Sequence, residues 1–161
     1  MIQAITENAI IANISTEDNR INTSVASTQI RFLVKFINNL DGSIEYSYPA
    51  LPNGIKPRYT RMVFTYYLTN PNMYVGGINL IPAGHWKYEV YEVSWIGTVE
   101  VDGLTAPATE IDVLPVKDGN GVVQGIVSKG ILNLTESDGT EQVQYTQHAE
   151  PTETNYIYYG Q

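Results

Sequence analysis

Between residues 84 and 93 the chain reads Gly-His-Trp-Lys-Tyr-Glu-Val-Tyr-Glu-Val, aromatic and β-branched residues alternating with charged ones at a period of two. A strand sends successive side chains to opposite faces. Trp86, Tyr88 and Val90 therefore share one face, and His85, Lys87, Glu89, Tyr91 and Val93 the other. Pro82 and Gly84 mark a turn just before it. The same alternation recurs along most of the chain, and no stretch of helical period competes with it. An all-β fold is expected, with function carried by surfaces rather than by a catalytic cleft.

Residues 29–37 read as a strand, with Phe32, Val34 and Phe36 on one side and Arg31, Leu33, Lys35 and Ile37 on the other. Asp41-Gly42 signals a hairpin, and residues 43–48 return as the partner strand. Pro49, Pro52, Gly54 and Pro57 exclude regular structure between there and the next strand, residues 58–68, where Met62, Phe64 and Tyr66 share a face. Residues 76–81 form a short strand with Ile78 and Leu80 inward. A polar loop covers 97–109, and residues 110–116 read as a strand ended by Pro115. Asp118-Gly119-Asn120-Gly121 is expected to close a hairpin into residues 122–135, its glycines at positive φ. Gly125 and Gly130 mark bulges or bends in that strand, and residues 141–146 supply one more.

The spacing of these turns predicts a single β-sandwich, Ig-like or jelly-roll, of about 8–10 short strands with extended terminal segments. Its expected parts are an N-terminal arm or edge strand over residues 1–28, a sandwich core over 29–135, and a C-terminal strand with an aromatic tail over 136–161. With 161 residues the chain is long enough for one well-buried core.

Charge narrows the function classes. The net charge is −8, and the nine basic residues are scattered. A nucleic-acid partner requires a basic footprint, and an anionic membrane would repel the chain, so neither is expected. Only 16% of residues are charged, and Tyr accounts for 12. Low charge with many tyrosines is the composition of an interface. There is no cysteine, which excludes disulfides and thiolate metal sites. The first residues lack the basic and apolar regions of a signal peptide, and no run of about 18 apolar residues could cross a membrane. Synthesis in a cytoplasm without classical export is the expectation.

Motifs for chemistry are sparse. His85 and His148, the only histidines, lack the spacing of a metal pair. Ser128 sits one residue off a Gly-x-Ser-x-Gly pattern, but no helix follows to build a nucleophile elbow. Glu89, Glu92, Glu100, Asp102, Glu110, Asp112, Glu136, Asp138 and Glu141 are dispersed; two of them could flank a sugar, but a solvated acidic surface is the simpler reading. Asp118-Gly-Asn and residues 136–141 lack the ligand periodicity of a calcium loop. The sequons at Asn13, Asn22 and Asn133 carry little weight in a chain rich in Asn and Thr. No catalytic, cofactor or metal residue is assigned.

The aromatic end is different. Tyr156, Ile157, Tyr158 and Tyr159 follow a polar stretch and carry no charge. A β-prone run of this kind must bury against its own sheet or another chain, and strand addition to a neighbour's edge is one way to do so. These four residues are the candidate interaction site.

The succession of strands also carries a resemblance. It comprises Phe32-Leu-Val-Lys-Phe36 with Asn38-Asn39, Arg58-Tyr59, Gly77-Ile-Asn-Leu80, the run from Ala83 to Glu92, and Gly125-Ile-Val-Ser-Lys-Gly-Ile-Leu-Asn-Leu134. Over residues 29–135 it resembles small β-sandwich virion structural proteins of tailed bacteriophages, including the accessory capsid and head-fibre proteins of crAss-like phages. The resemblance implies a non-enzymatic, multi-copy virion component assembled in a bacterial cytoplasm. Its partners would be the major capsid protein, fibre proteins or further copies of itself, held through strand edges and termini, and no cofactor is implied. The alternative is a carbohydrate- or cell-surface-binding module, for which a row of exposed aromatics would be the sign. A hydrolase using dispersed carboxylates is the third reading.

Overall fold

The structure, a computed structural model, describes residues 1–50 and 55–137. These contain eight strands: β1 (Ile2–Ile5), β2 (Ile10–Ile14), β3 (Ile30–Asn38), β4 (Ile44–Ser47), β5 (Thr60–Tyr66), β6 (Gly77–Ile78), β7 (Gly84–Trp95) and β8 (Gly121–Thr135). The strands form a five-stranded sheet in the order β1-β8-β7-β3-β4 and a three-stranded sheet in the order β2-β5-β6. The protein is all-β, a sandwich-like pair of mixed sheets. Most pairings are antiparallel, but β1 lies parallel to β8, and β6 parallel to β5.

Between the sheets lies the main core. Phe32, Val34, Phe36, Trp86, Val90 and Leu132 of the large sheet meet Ile10, Ile14, Met62, Phe64 and Ile78 of the small one. Phe36 and Phe64 meet edge to face, their ring centroids 5.4 Å apart, the geometry that aromatic quadrupoles favour. Period-two alternation is the cause: Ile30, Phe32, Val34 and Phe36 of β3 and Trp86, Tyr88 and Val90 of β7 fall on one face, the face that meets the small sheet. Asn38 Nδ2 and Trp86 Nε1 both donate to the Pro82 carbonyl, at 3.2 and 3.1 Å, which satisfies two polar groups at the core's edge.

A second core lies on the outer face of the large sheet. Leu33, Tyr91, Val93 and Trp95 are buried there with Tyr48 and Ala106. From Val90 to Trp95, β7 is therefore buried on both faces. The cover is the long connection 96–120, which leaves β7 and returns as β8.

That connection departs from the sequence reading. Residues 110–116 form no strand, and Asp118-Gly119-Asn120-Gly121 closes no hairpin with them. β8 pairs instead with β7, in register from Gly84↔Leu134 to Trp95↔Gly121. With β3 on the other side of β7, neither edge of β7 is left for residues 110–116, and Pro115 offers no N–H to a ladder. A turn does exist: Gly119 has φ +94° and donates to the Ile96 carbonyl. Gly121 is glycine for another reason. A Cβ there would sit 2.6 Å from the Trp95 ring.

The bulges in β8 fall near Gly125, as its glycine suggests. Register shifts occur opposite Val90/Tyr91 and Glu92/Val93, and Gly125 has φ +146°. Gly130 lies opposite Tyr88, whose ring fills the space a Cβ would need. The hairpin between β3 and β4 has the expected Asp41-Gly42 turn, with Gly42 at φ +75° and Asp41 Oδ1 accepting from the Ser43 N–H. Residues 1–28, read as an arm with an edge strand, contribute one strand to each sheet, and Val25 packs on the main core. Glu92, wholly buried, accepts from the N–H groups of Ile21 and Asn22 at 3.0 and 2.9 Å and ties this segment to β7. The expected strand at 141–146 lies outside the described residues.

Candidate functional site

Residues 96–120 are pinned to the outer face at several points. The Tyr48 hydroxyl donates to the Pro107 carbonyl at 2.7 Å, and Tyr48 stacks on Tyr74 with centroids 6.1 Å apart. Asp102 Oδ1 accepts from the N–H groups of Leu104 and Thr105. Asp112 Oδ2 accepts from those of Ala108 and Thr109 at 2.9 and 3.0 Å. At the far end the Gly121 N–H donates to the Thr105 carbonyl, and the Asn120 amide donates to the Pro115 carbonyl.

A charged clamp completes this attachment. Lys35 Nζ of β3 and the Tyr46 hydroxyl of β4 each donate to the Glu110 carboxylate at 2.5 Å. The Lys35 and Glu110 side chains are only 14% and 19% exposed, so the pair is shielded far better than a surface ion pair. Burial pushes the Glu110 carboxyl up, but the hydrogen bonds from Lys35 and Tyr46 outweigh it and hold it below its ordinary value. The hydrogen bond to Glu110 raises Lys35. Burial, then the bond to Glu110, pushes the Tyr46 hydroxyl up to about 12. Beside them the Tyr91 hydroxyl, also raised by burial, donates to Glu89 at 2.8 Å. Glu110 and Glu89 are thus each hydrogen-bonded to neighbouring side chains.

Just past the clamp the chain becomes apolar and unpaired. Ile111 is 81% exposed, Val113 95% and Val116 102%. No backbone-to-backbone hydrogen bond among the described residues involves Val113, Leu114 or Val116. Residues 110–116 and the start of β8 form the walls of a groove of about 260 Å³, in which Leu114, Val122 and Val123 contribute further apolar surface. Scattered exposed apolar residues need no explanation, but a contiguous apolar strip does. Here a segment with strand character in its sequence is held open at the surface without a strand partner. Sequence reasoning placed a strand at these residues and so did not find the site; its signal was the apolar content of residues 111–116 beside Pro115.

The residues weighed from sequence fall elsewhere. Tyr156, Ile157, Tyr158 and Tyr159 lie outside the described residues, as do His148, Asp138 and Glu141. His85 is exposed on β7, and Ser128 lies within β8 opposite Val90. Among the described residues no three His, Cys, Asp or Glu side chains converge as metal ligands, and no helix is long and apolar enough to cross a membrane. Trp86 is fully buried and Tyr88 nearly so. Tyr59 and Tyr67, the exposed tyrosines among the described residues, lie beyond opposite ends of β5 and make no continuous platform. A second cavity, about 230 Å³, lies between Arg31, Arg61, Tyr48 and Tyr74. The Arg31 guanidinium there already donates to the Thr28 and Ile30 carbonyls.

Fold and surface together define a sandwich-like all-β protein that presents an apolar, strand-like segment on a clamped loop. No protein-family model, curated protein or solved structure matches the chain.

Proposed function

We propose that this protein is a non-enzymatic structural component of a tailed-phage virion, an auxiliary capsid or head-fibre-associated protein present in many copies. The observation that carries the reading is the apolar segment 111–116, in which Ile111, Val113 and Val116 are strongly exposed directly beside the Glu110 clamp. A rigid scaffold that displays apolar side chains lowers the ordering cost of an interface before the partner arrives. Low charge, abundant tyrosine and the resemblance of residues 29–135 to virion β-sandwich proteins support the same reading.

Magnitudes fit a lattice better than an isolated pair. Burying Ile111, Val113 and Val116 would contribute about 5–9 kcal/mol in all. Forming a complex costs roughly 4–15 kcal/mol in lost translational and rotational freedom. A single contact of this size is weak, whereas many on one shell add through avidity. Tyr156, Ile157, Tyr158 and Tyr159 are proposed as a second attachment element. A carbohydrate-binding role has less support, since Tyr59 and Tyr67 do not form a stacking row.

The test is the protein content of purified phage particles made with this chain and with its Val113→Asp/Val116→Asp variant. Stoichiometric incorporation of the native chain and depletion of the variant are expected. Particles that never contain the native chain refute the reading.

A further inference from the structure

The groove and the last described residues lie at opposite ends of β8. The groove lies beside Gly121, where β8 begins; β8 ends at Thr135, where Thr6 N–H donates to the Thr135 carbonyl and Ser137 N–H donates to Thr6 Oγ1. A strand of 15 residues spans about 45 Å at roughly 3.3 Å per residue. Residues 138–155 separate Ser137 from Tyr156. Eighteen residues of chain have a maximal reach of about 60 Å. A tail that returned to its own groove would have to stretch over about three quarters of that reach. The groove of a second copy carries no such restriction.

The chemistry of the two surfaces matches. Residues 154–160 read Thr-Asn-Tyr-Ile-Tyr-Tyr-Gly, without a charged side chain. The groove offers apolar side chains from Val113, Val116 and Val122, and backbone groups at 113, 114 and 116 that no backbone among the described residues pairs. An extended aromatic segment supplies both the apolar contact and the strand pairing that this edge lacks. In a chain of net charge −8, uncharged segments are where two copies approach at least electrostatic cost.

From these observations we infer that residues 155–160 of one copy occupy the groove of a second copy, pairing with residues 111–116. This deepens the assembly reading above and rests on it. The contact is an exchange of tails: two copies that swap tails reciprocally close a two-fold dimer, and copies that pass each tail to the next join in a ring or an open chain. Because each molecule repels the next through its net charge, added salt strengthens the association instead of weakening it.

Sedimentation velocity of the full chain over a range of concentrations tests this, alongside the chain lacking residues 153–161 and the full-length Val113→Asp/Val116→Asp variant. Val113 and Val116 are on the surface, and circular dichroism establishes that each variant is folded. The native chain is expected to form dimers or longer oligomers with rising concentration. Each variant alone should lose at least about tenfold in association. Mixed, the two variants should give one-to-one complexes and nothing larger, since one supplies only a groove and the other only a tail. A native chain that stays monomeric overturns the inference, including the case in which the tail folds onto its own groove. A tail deletion that associates as the native chain does overturns it too. If in that case Val113→Asp/Val116→Asp still fails to enter particles, the assembly surface stands and only its occupant is wrong.

Discussion

Replacing Glu110 by alanine removes the one acceptor shared by Lys35 and Tyr46. A hydrogen bond to a charged group contributes about 1.5–3 kcal/mol when shielded, and an exposed ion pair about 0–1 kcal/mol. The side chains here are 14% and 19% exposed, so water replaces part of what is lost. The expected cost is about 2 kcal/mol, confined to the connection 96–120. That corresponds to roughly a thirtyfold rise in local opening. Hydrogen exchange reads it directly: the amides of Ala106 and Ala108, bonded within the loop, should exchange about thirtyfold faster. Amides in the centre of β7 should keep their native protection. Glu110→Gln, which still accepts from Tyr46, should fall between. The clamp also has a pH window. Glu110 is held below its ordinary value, so its contribution is present above the usual carboxylate range and disappears as pH falls through the lowered value. Lys35 and Tyr46 are raised, Tyr46 to about 12, so theirs is present below their ordinary values and lost as pH climbs through the raised ones. Urea midpoints of native and Glu110→Ala chains should therefore differ by a constant amount between about pH 5 and pH 10 and converge outside it. Unchanged loop exchange in Glu110→Ala would refute the clamp.

Two further predictions separate causes that look alike in the sequence. Gly121→Ala should cost about 1–3 kcal/mol by overpacking, because its Cβ would meet the buried Trp95 ring at 2.6 Å. Gly119→Ala, at φ +94° in open space, should cost about 1 kcal/mol through backbone strain alone, and D-alanine at 119 should remove that cost but at 121 should not; equal effects at both sites in chemical denaturation would contradict the assignment. Glu92→Ala should cost about 2–4 kcal/mol by orphaning the Ile21 and Asn22 N–H groups, with a larger rise in amide exchange at 21 and 22 than in β3.

Much of the sandwich was legible because its signal is local. Alternation assigned the inward faces of β3, β5 and β7, and Asp41-Gly42 marked its own hairpin. The connection 96–120 was not legible, because whether residues 110–116 pair depends on which strands already flank β7. That is a fact of topology and not of any short window. Gly121 shows the same limit: a glycine set by a distant tryptophan looks like a glycine set by a turn. The parallel pairing of β1 with β8 joins the two ends of the described chain, which no local pattern encodes. The clamp escaped notice for the same reason, since Lys35, Tyr46 and Glu110 are far apart in sequence and each reads alone as a solvated polar residue.

The central claim is that residues 111–116 are covered by another subunit in the assembled particle. The chain has no cysteine, so single cysteines introduced at Val113 and, as a control, at Leu40 can each be followed with a thiol reagent. Both positions are exposed, at 95% and 82%, and both should react rapidly in the free protein diluted to the monomer. In assembled particles the account predicts that the cysteine at 113 is protected and the one at 40 is not. Equal reactivity at 113 in free protein and in particles that contain the chain would contradict it.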